Sequence, residues 1–191
     1  MPSSLRPTPR RLLAYLLGAL VLVFARPDAV MIWLGLGLAV PGLLLRIWAT
    51  GYLSKNRRLT REGPYRHLRH PLYLGTWLIG TGLFVACLGR NAPRVPLILL
   101  FAVFQLGFLF FYLPRKEAKE SRRLRRIHGR EFELFSQMVP AFLPRLRPAT
   151  APGPGVDWRL SRVASNSEWG TFSATILGFA FLGLRCLELI P

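Results

Sequence analysis

Residues 29–53, AVMIWLGLGLAVPGLLLRIWATGYL, decide the fold class. Arg46, near the far end, is the only charge in the run. A helix of roughly 20 apolar residues crosses the ~30 Å hydrocarbon core of a bilayer, and this stretch is longer than that. Four more apolar runs accompany it, at 12–25, 72–88, 95–113 and 169–190. Alternating strand patterns are absent. The expected fold is therefore all-α and polytopic, with about five spanning helices and a cytoplasmic amphipathic helix. Arginines ahead of the short first run would also suit a signal peptide. No small-x-small cleavage site follows Ala25, so a retained first span is expected.

The chain has 191 residues, of which 51% are hydrophobic, yet its formal net charge is +17. Apolar spans joined by basic loops produce that combination naturally. Nucleic-acid binding is the other reading of a basic surplus, but here Lys and Arg gather between the apolar runs. The rich links contain Lys55, Arg57, Arg58, Arg61, Arg66 and Arg69, then Arg115, Lys116, Lys119, Arg122, Arg123, Arg125, Arg126 and Arg130. They alternate with poor links that hold Arg26 and then Arg90 and Arg94. By the positive-inside rule the N-terminus and both rich links are cytoplasmic. A multi-pass protein of the bacterial cytoplasmic membrane is expected, with its C-terminus outside. A core of residues 1–147 would be followed by a Pro/Gly/Ala-rich connector over 148–168 and a last span over 169–191. Cys87 and Cys186 lie in apolar runs with no metal or disulfide spacing. His67, His70 and His128 lack a third ligand at a natural spacing.

Two stretches concentrate polar chemistry at the mouths of spans. Residues 63–75 read GPYRHLRHPLYLG. Gly63-Pro64 marks a turn, and Pro71 suits the first turn of a helix because it lacks an N–H. The third span should start there, with free N–H groups facing an anion. Gly75 and Gly80 would let a backbone or a flat ligand approach closely. An interfacial belt of Tyr65, Tyr73, Trp77 and snorkelling arginines fits the same residues. In residues 116–135, Leu124, Ile127, Phe132 and Phe135 recur at helical spacing against a basic face, the pattern of a helix lying on anionic lipid. Glu120 would present a carboxylate to a cationic ligand, or take part in surface ion pairing with Lys116 four residues earlier. Arg46 is expected to be paired, functional or snorkelling, with snorkelling in first place, Gln105 to find a helix partner, and Arg185 to pair with Glu188 or reach the outer interface.

Gly63-Pro64-Tyr65 followed by Arg69-His70-Pro71-Leu72-Tyr73-Leu74-Gly75 resembles the G-x-Y…R-H-P-x-Y-x-G signature of integral-membrane methyltransferases, the isoprenylcysteine carboxyl methyltransferase family and its phospholipid methyltransferase relatives. Glu120, Leu124, Gly129, Phe132, Phe135, Val139 and Pro140 are similar to that family's second motif. In that motif Ser121 stands for a second glutamate, and Phe132 and Phe135 stand for tyrosines. The resemblance implies an S-adenosyl-L-methionine-dependent methyltransferase whose cofactor pocket is roofed by the helix after the fourth span. Thr50, Arg57, Arg58, Leu59, Thr60, Tyr65, His70, Pro71, Leu72, Tyr73 and Glu120 would bind the cofactor. Arg115 and Lys116 would bind an acidic substrate group, and Lys116 and Glu120 would carry the reaction. The resemblance further implies a lipophilic acceptor entering from the bilayer, a carboxylate in first place and a lipid amine or small thiol otherwise. A sterol-reductase-like NADPH enzyme and a non-enzymatic scaffold for anionic lipid are the other readings of the same layout.

Overall fold

A computed structural model describes residues 9–54, 58–149, 156–166 and 168–190. All regular structure among them is helical. Each apolar run forms a helix: α1 (Pro9–Phe24), α2 (Ala29–Tyr52), α3 (Pro71–Ala86), α4 (Arg94–Leu106) and, last in the chain, α8 (Trp169–Cys186). Between α4 and α8 come α5 (Leu113–His128), α6 (Arg130–Met138) and the short α7 (Leu160–Ser165), which lies inside the stretch expected as a connector. Among the described residues three helices are long and apolar enough to cross a membrane: α2, the continuous rod Arg94–His128 that holds α4 and α5, and α8. α1 and α3 have 16 residues each and fall short of that length, so length and composition support three of the five expected spans and leave the other two unconfirmed. Trp33, Val95, Phe110 and Trp169 are exposed apolar side chains on these helices, a surface suited to lipid.

α2 and α3 form the backbone of the bundle. Gly35, Ala39 and Gly42 of α2 meet Gly75, Ile79, Gly82 and Ala86 of α3, and all of these residues are buried. A Cβ on Gly35 would stand 2.4 Å from the Gly82 carbonyl, and one on Gly42 would stand 2.8 Å from the Gly75 carbonyl. In lipid, helices gain little by burying apolar surface and associate through close backbone packing at small residues. The close approach expected at Gly75 is therefore a helix contact. Gly80 packs on the Phe104 ring. Gln105 finds its partner in the Trp77 indole N–H, which donates to it at 2.7 Å.

Turns at both ends of the pair are set by local chemistry. The Asp28 carboxylate caps α2 by accepting from the Met31 N–H at 2.9 Å. That bond, chiefly, holds its pKa below the ordinary carboxylate value, with the Arg90 backbone N–H adding to it. Pro71 occupies the first turn of α3, with His70 before it. Pro114 offers no N–H to the Phe110 carbonyl and its ring crowds that carbonyl. Just before it the ladder widens into a π-helical turn, Gly107–Tyr112, with the Leu113 N–H bonded to the Phe108 carbonyl. Gly129, at φ 49°, breaks the rod from α6, a conformation that suits glycine. α6 then folds back, burying Phe132 and Phe135 with Val139 against Leu59. Those two phenylalanines were expected on a membrane-facing stripe and instead close a small core.

Arg46 takes the paired alternative over the snorkelling one placed first. Its Nε and Nη2 bond Glu168 at 2.9 and 2.6 Å, and its Nη1 donates to the Leu72 carbonyl at 3.0 Å. It is a part-buried charge paired within the bundle and does not snorkel. Arg185 likewise donates to the Leu22 carbonyl at the end of α1.

Candidate functional site

The loop before α3 and the helix after α4 are about fifty residues apart in the chain and meet at one polar pocket of about 390 Å³. Backbone pairing draws one wall together: the Arg69 and His70 N–H groups donate to the Pro140 and Ala141 carbonyls at 2.8 and 3.1 Å. The Arg145 and Ala149 N–H groups return to His67 and Arg66 at 3.0 and 2.9 Å. An ion pair between Arg61 and Glu131 ties α6 to the same loop. The lid, α5, is fixed by Arg69, whose Nη1 lies 3.2 Å from Glu117 and 3.3 Å from the Ser121 hydroxyl.

At the centre stand His70, Tyr73 and Glu120. The Tyr73 hydroxyl donates to Glu120 Oε2 at 2.9 Å, and His70 Nδ1 lies 3.5 Å from the same oxygen. The His70 and Tyr73 rings stack with centroids 5.2 Å apart. His70 is 5% exposed, and its Nε2 is buried without a hydrogen-bond partner among the described residues, as is the Thr60 hydroxyl. Buried polar atoms of a folded protein are normally bonded. Two unsatisfied ones lining the same pocket mark where a ligand's polar atoms would sit. Tyr65 is buried beside them. Burial first, and then the charge of Glu120, raises its pKa well above the ordinary tyrosine value, so the phenol stays protonated.

The rim is cationic. Arg58, Arg69, Lys116, Lys119 and Arg123 line it, and Arg58 pairs with Glu62 at 3.0 Å. Leu59, Leu124, Ile127, Phe132 and Phe135 supply an apolar floor. Such a pocket attracts an anion at its rim and a donor or cationic group at Glu120. A free divalent cation would meet a repulsive rim. Among the described residues no three His, Cys, Asp or Glu side chains are placed to hold a metal.

Of the residues expected at the site, Arg58, Leu59, Thr60, Tyr65, His70, Leu72, Tyr73, Lys116 and Glu120 line this pocket. Pro71 is buried in the first turn of α3 and shapes the wall from behind. Thr50 does not line it: its hydroxyl donates to the Arg46 carbonyl at 2.7 Å inside α2. Arg115 is not among the lining residues, its guanidinium lying 5.3 Å from the Phe111 ring. Arg57 lies outside the described residues. Lys119, Arg123, His128, Phe132 and Phe135 were not expected as pocket residues. The helical spacing was visible, but the fold-back at Gly129 that turns Phe132 and Phe135 of α6 inward was not.

A second, apolar cavity of about 610 Å³ opens between α1, α3, α4 and α8, lined by residues such as Leu22, Leu83, Phe84, Phe104 and Leu182. Tyr112, on the π-helical turn, lines it and meets Tyr73 of the polar pocket edge-on, with centroids 6.0 Å apart. Lys116 Nζ lies 5.5 Å from the Tyr112 ring. π-helical turns often occur at functional sites, and this one sets the partition between an apolar and a polar chamber.

No family model and no solved structure matches the chain. Two curated proteins do. The nickel-cobalt-cadmium resistance protein NccN of Alcaligenes xylosoxydans xylosoxydans is 35% identical over 115 residues, which cover 59% of this chain and 48% of that protein. The cobalt-zinc-cadmium resistance protein CzcN of Cupriavidus metallidurans is 36% identical over 115 residues, covering 59% of this chain and 47% of that protein. The chain thus spans about half the length of the relatives it matches. These findings correct the expectation of an S-adenosylmethionine-dependent methyltransferase: the relatives are named for metal resistance, not for methyl transfer. The physical reason is that the G-x-Y and R-H-P-x-Y-x-G residues build a turn and a proline-started helix. That is a piece of architecture, and architecture does not specify a reaction.

Proposed function

We propose that this chain is a multi-pass protein of a bacterial cytoplasmic membrane that contributes to resistance against divalent cations of the nickel, cobalt, zinc and cadmium group. The observation that carries this reading is its identity of 35% and 36% with two bacterial metal-resistance proteins. The alternation of basic and poor links supports a cytoplasmic polar pocket and N-terminus.

In this reading the pocket acts on resistance through a bound organic molecule and not by ligating the cation. Its cationic rim, its buried His70–Glu120–Tyr73 cluster and its apolar floor favour a zwitterionic or anionic amphiphile. The neighbouring apolar cavity, reached past Tyr112, offers room for a chain arriving from the bilayer. S-adenosylmethionine has charges of both signs and is a binding ligand of the pocket to titrate, with no methyl transfer attached to it.

Expression of the protein in a metal-sensitive bacterium is expected to raise the tolerated concentration of at least one of these cations severalfold. Glu120→Gln keeps the size of the side chain but removes the charge that faces His70 and Tyr73. Losing a charged partner costs roughly 1.5–3 kcal/mol, or about ten- to a hundredfold in ligand affinity. That variant, expressed at the same level, is expected to return tolerance to the empty-vector value. Equal tolerance with and without the wild-type protein would overturn the resistance reading. Full tolerance in Glu120→Gln would remove the pocket from it.

A further inference from the structure

A second charged cleft lies at the opposite ends of the helices, where α1, α3 and α8 finish and α2 and α4 begin. It measures about 700 Å³, and its lining includes Arg26, Asp28, Arg90, Asn91, Arg185 and Glu188. This is the membrane face whose links are poor in basic residues, yet three arginines from three separate segments converge on one cleft.

The convergence is built by backbone contacts. The Arg26 N–H donates to the Cys87 carbonyl at 3.3 Å, and the Arg90 N–H donates to Asp28 Oδ2 at 3.0 Å. A Cβ on Gly89 would lie 1.9 Å from the Arg26 carbonyl, so only glycine lets the two loops close this far. Arg26 and Arg185 each use Nη1 on carbonyls at the end of α1: Arg26 on Ala25 at 3.0 Å and Arg185 on Leu22. These bonds orient both guanidinium groups and leave further N–H donors. The Arg90 guanidinium makes no hydrogen bond among the described residues. The opposing carboxylates do not balance the site. Two carboxylates, Asp28 and Glu188, face three arginines, which leaves one positive charge in excess, and both Asp28 oxygens already accept from backbone N–H groups.

We propose that this cleft binds a phosphate group, held by the guanidinium donors of Arg26, Arg90 and Arg185. Guanidinium forks match phosphate oxygens in geometry as well as charge. The exposed Leu189 and the neighbouring Ile190 also line the cleft, an apolar contact for the glycerol and first carbons of a phospholipid. A lipid headgroup and free phosphate share the chemistry, and the test separates them. The proposal is independent of the metal-resistance reading and of the polar pocket.

Cys186 lines the cleft, whereas Cys87 is 1% exposed, so maleimide labelling of the purified full-length protein in detergent micelles reports on this site. Phosphatidylglycerol is expected to slow labelling of Cys186 about fivefold, equivalent to roughly 1 kcal/mol, while diacylglycerol, which lacks the phosphate, leaves it unchanged. Protection by millimolar inorganic phosphate alone would identify the free anion as a sufficient ligand. In Arg90→Gln the protection is expected to vanish with the guanidinium, and the variant should fold normally because the Arg90 bond to Asp28 is made by the backbone N–H, which glutamine keeps. Native mass spectrometry gives a second reading: wild type should retain one phosphatidylglycerol more than Arg90→Gln. Equal protection by diacylglycerol, or equal lipid retention in wild type and Arg90→Gln, overturns the proposal.

Discussion

Glu168→Ala is expected to lower the melting midpoint of the detergent-solubilised protein by roughly 6–20 °C. Removing one partner of a buried ion pair costs about 3–5 kcal/mol, and a domain of 150–250 residues shifts about 2–4 °C per kcal/mol. The side chains of Arg46 and Glu168 are 11% and 8% exposed. Without Glu168 the guanidinium would stay buried with only the Leu72 carbonyl at 3.0 Å, the Thr76 hydroxyl at 2.5 Å and the Thr171 hydroxyl at 3.4 Å as partners. The damage should reach the polar pocket, because Leu72 lies in its wall and is held by that same arginine. Two residues before Glu168, the Asn166 amide donates to the Thr50 and Leu53 carbonyls at 3.2 Å each, and Leu53 lines the pocket as well. The start of α8 therefore braces two walls at once. Replacing both partners, as in Arg46→Met with Glu168→Leu, is expected to recover most of the lost stability, since no charge is then left buried alone. A melting midpoint for Glu168→Ala equal to wild type would show that this pair does not hold the bundle.

Gly82→Val is the second large effect. Its side chain would begin 2.4 Å from the Gly35 carbonyl and 3.0 Å from the Ala39 nitrogen, both of them backbone atoms of α2 that cannot swing aside. Overpacking costs about 1–3 kcal/mol, occasionally more, when a core can adjust. Here the two helices must separate along the whole Gly35–Ala39–Gly42 face, which places the cost at the upper end or beyond. The matched control is Gly37→Val, two residues along α2, where a Cβ meets nothing within 4 Å. The first variant is expected to melt well below wild type or fail to accumulate, and the second to behave like wild type. Similar yields and melting midpoints for the two would mean that α2 and α3 are not in this register.

Hydropathy and charge alone were enough to identify an all-helical membrane protein, to place helices at all five apolar runs and to start α3 at Pro71. These features rest on local physics: a bilayer forces backbone bonds inside the segment, and a proline ring has no N–H to offer. The pairing of residues 63–75 with α5 was also legible, because both stretches belong to links rich in basic residues that fall on one side of the membrane. Arg46 was not legible. Its partner Glu168 lies 122 residues away in the chain, and a lone arginine near a helix end reads equally well as a snorkelling one. The inward turn of Phe132 and Phe135 was hidden for a related reason. An apolar stripe has the same period whether it faces lipid or protein, and only the kink at Gly129 chooses between them. The chemistry was misread because the short motif describes how the chain turns and packs, while the molecule bound there depends on groups brought in from elsewhere. Charge and apolarity are written residue by residue along the chain. Which buried charge meets which partner, and which atoms are left open to a ligand, follows from contacts between distant segments that exist only once the helices have packed.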